Sequence, residues 1–270
     1  MYFNGELELY PEQFYEPYRF YRAPIFAIPG NHDGDSPRGE RSLEPFVENF
    51  CAVRPRRPPM PGLSQRRTMT QPNVYFTLDA PFMTVIGLYS NVTGNLDRPG
   101  NEETPQLDWF IRELTEADPH KFLVVALHHP PYSADNFHGP SGIAGVLDEA
   151  FTAAGRVPHL VLTAHVHNFQ YFLRGMTVGT ISREVPYLVA GAGGYSGYDH
   201  LHNVDPTEQF PDAVLKAFND EEPGFLRLTV TPSKLTWEYF TTPEISPESI
   251  GGDDDRLHEL PALFTGVVNL

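Results

Sequence analysis

Pro24-Ile25-Phe26-Ala27-Ile28-Pro29, followed by Gly30-Asn31-His32-Asp33, is the stretch on which the fold turns. A short apolar run closed by a proline and a Pro-Gly turn reads as a buried strand of the parallel type. It hands an amide, an imidazole and a carboxylate to its C-terminal end. In an open α/β sheet that is the edge where ligands bind. Asn31 offers a neutral oxygen donor, His32 a titratable proton, and Asp33 an acceptor able to orient the imidazole. By itself the tetrapeptide reads equally well as a turn, because Asn, Asp and Gly all favour turns.

Two later segments decide between these readings. The apolar run Phe122-Leu123-Val124-Val125-Ala126-Leu127 ends in His128-His129-Pro130, and His159-Leu160-Val161-Leu162-Thr163-Ala164 ends in His165-Val166-His167-Asn168. Three strands placed side by side in one parallel sheet would bring these groups together at a common rim. Neutral imidazoles with oxygen donors and no thiolate suit Fe, Mn, Zn or Ni. His165 and His167, two residues apart, share a face if the chain there is extended.

Composition bounds the rest. The 270 residues are enough for one large domain, and 40% hydrophobic with 20% charged residues is ordinary for a globular protein. A formal net charge of −16, from 35 acidic and 19 basic residues, argues against nucleic acid and anionic membranes as partners. The single cysteine, Cys51, excludes an intrachain disulfide. No apolar run is long enough to span a bilayer and no signal peptide is visible, so a soluble, cytoplasmic protein is the default expectation.

Around these segments, residues 6 to 22 are expected to form two short helices whose aromatic rings pack on the strand at 24–29. A Pro- and Arg-rich insertion covers about 34–71, with a helix near 43–50; its Arg56, Arg57, Arg66 and Arg67 read as a solvated surface. Asn73–Leu78 and Phe82–Leu88 form a β-hairpin, and helices follow at 104–114 and 141–154. Phe169 to Arg174, Tyr187 to Ala190, Gly224 to Thr231 and Leu235 to Phe240 read as strands of a second sheet. Asp199-His200-Leu201-His202 is another His-x-His, but it has no matching strand end. The tail from 243 to 270 is Pro-, Gly- and Asp-rich and is expected to be ordered poorly or only by docking.

Gly30-Asn31-His32-Asp33, His128-x-Pro130 and Ala164-His165-Val166-His167-Asn168-Phe169-Gln170 together resemble the last three motif blocks of the calcineurin-like metallophosphoesterases, closest in flavour to purple-acid-phosphatase-like members. The resemblance implies an α/β fold, a layered α/β/β/α sandwich of two mixed sheets, over residues 1–242. It implies a phosphoesterase in which two Fe, Mn or Zn ions about 3.5–4 Å apart hold a hydroxide that attacks a phosphate ester. Carried over residue by residue, Asn31, His128 and His165 would bind one metal and His167 the other. His32 would act on the phosphoryl or leaving oxygen, with Asp33 orienting it. His129, next to His128 on an extended strand, would face the other side, either supporting a ligand from behind or meeting substrate. His138, in the loop beyond at the mouth of the site, reads first as a surface histidine and second as a substrate contact. The substrate would be a small-molecule or protein phosphoester.

One departure is minor, Ala164 where the family usually has Gly. The other concerns two earlier blocks of the family, an Asp-x-His and a Gly-Asp at the ends of the first two strands. The 30 residues before Asn31 contain no Asp at all. Asp118-Pro119-His120 lies at the wrong end of its strand, roughly 20 Å from the site. The expectation is a chain lacking the family's first strands, with weak or single-metal occupancy and low activity. A non-catalytic, metal-poor scaffold and a mononuclear histidine hydrolase are the alternatives.

Overall fold

The computed structural model describes residues 5–34, 43–60, 62–91, 105–138, 141–194, 197, 199–201, 210, 212–242 and 261–270. Its organising element is the strand Phe122–Leu127 (β3), in which every residue is buried. Side chains alternate across a strand. Leu123, Val125 and Leu127 therefore face one hydrophobic cluster, and Phe122 and Val124 face another. A strand wanted by two cores has no polar face, which is why its sequence is a continuous apolar run.

Seven strands form the larger sheet. They are Phe76–Asp79 (β1), Met83–Leu88 (β2), β3, Leu160–Thr163 (β4), Phe169–Val178 (β5), Ile181–Ala190 (β6) and Ala213–Asn219 (β7), in the order β1-β2-β3-β4-β6-β5-β7. β2, β3, β4 and β6 run parallel, while β1, β5 and β7 pair antiparallel to their neighbours. Gly224–Val230 (β8), Lys234–Thr241 (β9) and Phe264–Asn269 (β10) form a three-stranded antiparallel sheet. The helices Glu44–Phe50 (α2), Pro105–Glu116 (α3) and Ile143–Ala154 (α4) start within two residues of where the sequence places them. α3 and α4 cover one face of the large sheet through Leu107, Phe110, Leu114, Leu147 and Phe151. The other face packs on the three-stranded sheet through Leu160, Phe169, Leu188, Trp237 and Tyr239. The described residues thus stack helices, sheet and sheet, three of the four layers of the expected α/β/β/α sandwich.

The stretch at 24–29 is not a strand. It runs irregularly, with Phe26 44% exposed, and among the described residues no strand pairs with it. The side-chain amide of Gln71 takes that role, accepting the Ala27 N–H at 2.8 Å and donating to the Ala27 carbonyl at 2.9 Å. A single amide can satisfy one residue but cannot propagate a ladder. Phe26 rests on Phe76 at the sheet edge.

One further expectation is corrected. β5 and β6 belong to the large sheet and not to the second one, because a ten-residue hairpin there pairs β6 with β4. β7 went unread: Ala-Val-Leu-Lys-Ala-Phe-Asn carries no distinct strand period. The tail supplies β10, docked along β9, while 243–260 lies outside the described residues. Near the N-terminus, the two expected short helices are a 3-10 helix (Leu7–Leu9) and a π-helix (Pro11–Tyr15). Their rings Tyr10 and Phe14 pack against Phe50 of α2, and Ile25 and Ala27 of the 24–29 stretch pack against the same cluster, as expected.

Candidate metal centre

The carboxyl ends of the parallel strands converge. Ser90 follows β2, His128 and His129 follow β3, His165 and His167 follow β4, and Gly191 follows β6. Asn31 arrives from outside the sheet, at the start of the single helical turn Asn31–Gly34 (α1). The Asp33 carboxylate accepts the Gly30 N–H at 2.7 Å, so it locks this turn.

Three atoms meet there. Asn31 Oδ1 lies 2.8 Å from His128 Nε2 and 3.3 Å from His165 Nδ1, and the two ring nitrogens are 3.0 Å apart. Three mutual contacts among one carbonyl oxygen and two imidazole nitrogens cannot all be hydrogen bonds, since neutral rings supply too few protons at those positions. A cation about 2.1 Å from each of three donors would need donor separations of about 3.0 to 3.4 Å. The 3.0 and 3.3 Å edges have that size and the 2.8 Å edge is about 0.2 Å shorter, and the donor set of two imidazoles and an amide oxygen suits a divalent metal.

The electrostatics agree. Burial, reinforced by the neighbouring His165 and His129, drives the His128 pKa down to about 2. Burial and His129 take His165 down to about 3. His129 and His167 are also lowered, chiefly by burial, with Asp199 opposing the shift at His167. At neutral pH these rings are uncharged and keep lone pairs for a cation.

Backbone geometry aims the rings. A Cβ on Gly30 would sit 2.6 to 2.9 Å from three ring atoms of His128, so only glycine lets the α1 turn approach that imidazole. His165 has φ of 67° and sits at the centre of a three-residue turn closed by Val166 N–H to the Ala164 carbonyl at 2.8 Å. That hand of turn is rare and strained outside glycine, and such strain collects at functional sites. The turn pushes the Val166 carbonyl into Gly191, where a Cβ would stand 1.9 Å from that oxygen.

His128 and His129 do not point apart. β3 ends at Leu127 and strand alternation ends with it. The His129 ring lies 4.6 Å from the His165 ring and 4.9 Å from the His128 ring. One nitrogen from each of His128, His129 and His165 falls within 4.8 Å of the others. His129 Nδ1 is tied to Ser90 Oγ at 2.9 Å, and Ser90 also accepts the His129 N–H.

His138 does not lie at an unrelated surface. Its ring meets that of His165 edge-on at 4.5 Å, and its Nδ1 is 2.9 Å from Asp135 Oδ2. Burial works to raise the Asp135 pKa, but hydrogen bonds from Ser133, from the Phe137 and His138 N–H groups and from the His138 ring hold it below the usual carboxylate range. His167 does not continue an extended chain from His165. Its N–H donates to Asp199 Oδ2 at 2.9 Å, with its Nδ1 3.5 Å away. His32 and His167 line the same cleft as the triangle. His200 instead faces Asp220, and His202 lies outside the described residues. Sequence reading missed Ser90, Asp135 and Asp199. The strand-end logic that found His128 applies equally to Ser90 after β2. An Asp three residues before His138 was visible, but its buried turn was not.

A mixed sandwich with histidines gathered at the carboxyl ends of its parallel strands is the architecture of the metallophosphoesterases. Residues 2–169 match the family described as calcineurin-like phosphoesterase, and residues 185–246 match that described as iron/zinc purple acid phosphatase-like protein C. The chain belongs to the calcineurin-like phosphoesterase family. Among solved structures it is similar to one titled GAP50, the anchor in the inner membrane complex of Plasmodium, with a TM-score of 0.50 and 12% identity over 77% of this chain. It is also similar to PhoD, with a TM-score of 0.44 and 18% identity over 75% of this chain. The chain spans 59% and 45% of the lengths of those two. No curated protein matches it. No helix among the described residues is long and apolar enough to cross a membrane.

Proposed function

We propose that this chain is a metal-dependent phosphoesterase whose cation is held by Asn31, His128 and His165. The observation that carries the reading is the triangle of donor atoms at 2.8, 3.0 and 3.3 Å. Zn, Mn and Fe each accept imidazole with oxygen donors. When bound, the cation would polarise a phosphoryl oxygen and generate a hydroxide nucleophile at neutral pH.

The protein's own groups supply the rest. His32, at the cleft, donates to phosphoryl oxygen or to the leaving alcohol, and Asp33 fixes the turn that presents it. His138, oriented by Asp135, and His129, oriented by Ser90, face substrate across the His165 ring. His167 with Asp199 is the nearest provision for a second cation. One well-held ion and one poorly held ion imply stoichiometry near one and modest turnover.

The test is metal analysis after incubation with each of the three ions, alongside p-nitrophenyl phosphate hydrolysis. About one ion per chain should be retained, and His165→Ala or His128→Ala should remove both ion and activity. A wild-type chain that retains no ion, or a His128→Ala variant that hydrolyses normally, overturns the proposal.

A further inference from the structure

The donor triangle does not open onto bulk water alone. His128, His165, His167 and Asn31 line a cleft of about 570 Å³. That volume is within the range of small-molecule sites. The same cleft is lined by a set of aromatic rings: Phe14, Tyr18 and Tyr21 from the N-terminal segment, Phe26 from the irregular stretch, and Phe46 and Phe50 from α2. Phe14, Phe46 and Phe50 are fixed by the core, whereas Tyr21 and Phe26 are 51% and 44% exposed and would lose water to an apolar ligand.

The lining also says what does not belong there. Neither Lys nor Arg is among the residues lining the cleft. Arg66, close to Tyr21, spends its guanidinium on the Tyr21 and Ala23 carbonyls. With a net charge of −16 and no Lys or Arg lining the cleft among the described residues, those residues offer a polyphosphate chain no cationic side chain to meet it. The aromatic set offers ring faces and edges instead, which pair favourably with another ring.

From this we infer that the aromatic set is the leaving-group subsite and that the preferred substrate is a phosphate monoester whose alcohol carries an aryl ring. The inference rests on the phosphoesterase reading above. The phosphoryl group meets the histidines, and the ring of the alcohol lies between Tyr21, Phe26 and Tyr18. The bond broken is between phosphorus and the alcohol oxygen; water supplies the new oxygen on phosphorus and the proton that the alcohol takes.

The experiment compares 2-phenylethyl phosphate with ethyl phosphate on the metal-loaded chain. The two alcohols have similar acidity, so their esters differ in the ring and little in intrinsic reactivity. Withdrawing one ring from water should favour the phenylethyl ester by ~10–100-fold in kcat/KM. Tyr21→Ala and Phe26→Ala, at partly exposed positions, should each reduce that ratio, and the double variant should bring it within about threefold of unity. A wild-type ratio near unity overturns the inference while leaving phosphoester hydrolysis intact. So does a ratio that survives the double variant, or faster hydrolysis of a nucleoside triphosphate. Hydrolysis of neither ester overturns the phosphoesterase reading and this one with it.

Discussion

Gly30→Ala tests the centre without touching a donor. The new Cβ would lie 2.6 Å from Cε1, 2.8 Å from Nδ1 and 2.9 Å from Nε2 of His128. Ordinary contact begins near 3.4 Å, so the imidazole must recede by about 0.8 Å. Metal sites tolerate donor displacements of about 0.2 Å. His128 would therefore be lost as a donor or held off its position, and its contacts to Asn31 Oδ1 and His165 Nδ1 would open. The expected result is metal affinity weakened by ~10–100-fold or more, equivalent to about 1.4–2.8 kcal/mol. Gly175→Ala is the control, because a Cβ there meets nothing within 4 Å. Both variants should be titrated with Co(II) or Zn(II) against a competing chelator, with thermal melts of the metal-free proteins to check folding. Wild-type affinity in Gly30→Ala, or an equal loss in Gly175→Ala, would refute the assignment of His128 as a ligand.

Three other outcomes follow from the same structure. His159 Nδ1 accepts the Leu123 N–H at 2.9 Å, and burial, with help from Arg183 and Arg156, lowers its pKa to about 3. The unfolded chain takes up that proton first, near pH 6.5, so stability present above that pH is lost on acidification toward pH 3, at up to ~1.4 kcal/mol per unit. His159→Asn keeps an acceptor without titrating; urea unfolding between pH 6.5 and 5 should show a shallower decline, and identical slopes would discard the account. His32→Ala should lower turnover by ~10²–10³-fold while metal content stays constant, and parallel loss of metal would show that its role is wrong. Phe110→Ala empties a fully buried site between α3 and α4 and should cost about 3–5 kcal/mol by denaturant titration; a loss under about 1 kcal/mol would mean the helices are not packed as described.

The sequence by itself determined the strand-end chemistry. Apolar runs ending at His128 and His165 can be read because buried parallel strands need continuous apolar residues and must then expose polar ones where they leave the sheet. It likewise placed α3, whose Leu107, Phe110 and Leu114 recur at helical spacing and are buried as that spacing requires. Tertiary structure alone decided what happens just past those strand ends. His128 and His129 converge because β3 stops at Leu127, a boundary set by pairing to β2 and β4 and not by local residue preference. The left-handed turn at His165 is accommodated because the Val166 carbonyl meets a glycine, Gly191, 25 residues away in sequence. Pro24–Pro29 has the composition of a strand, but a strand exists only when a neighbour completes its ladder; here the Gln71 amide satisfies Ala27 instead. Periodicity records what each segment needs to bury, whereas hydrogen-bond partners and approach angles depend on which distant segments arrive beside it.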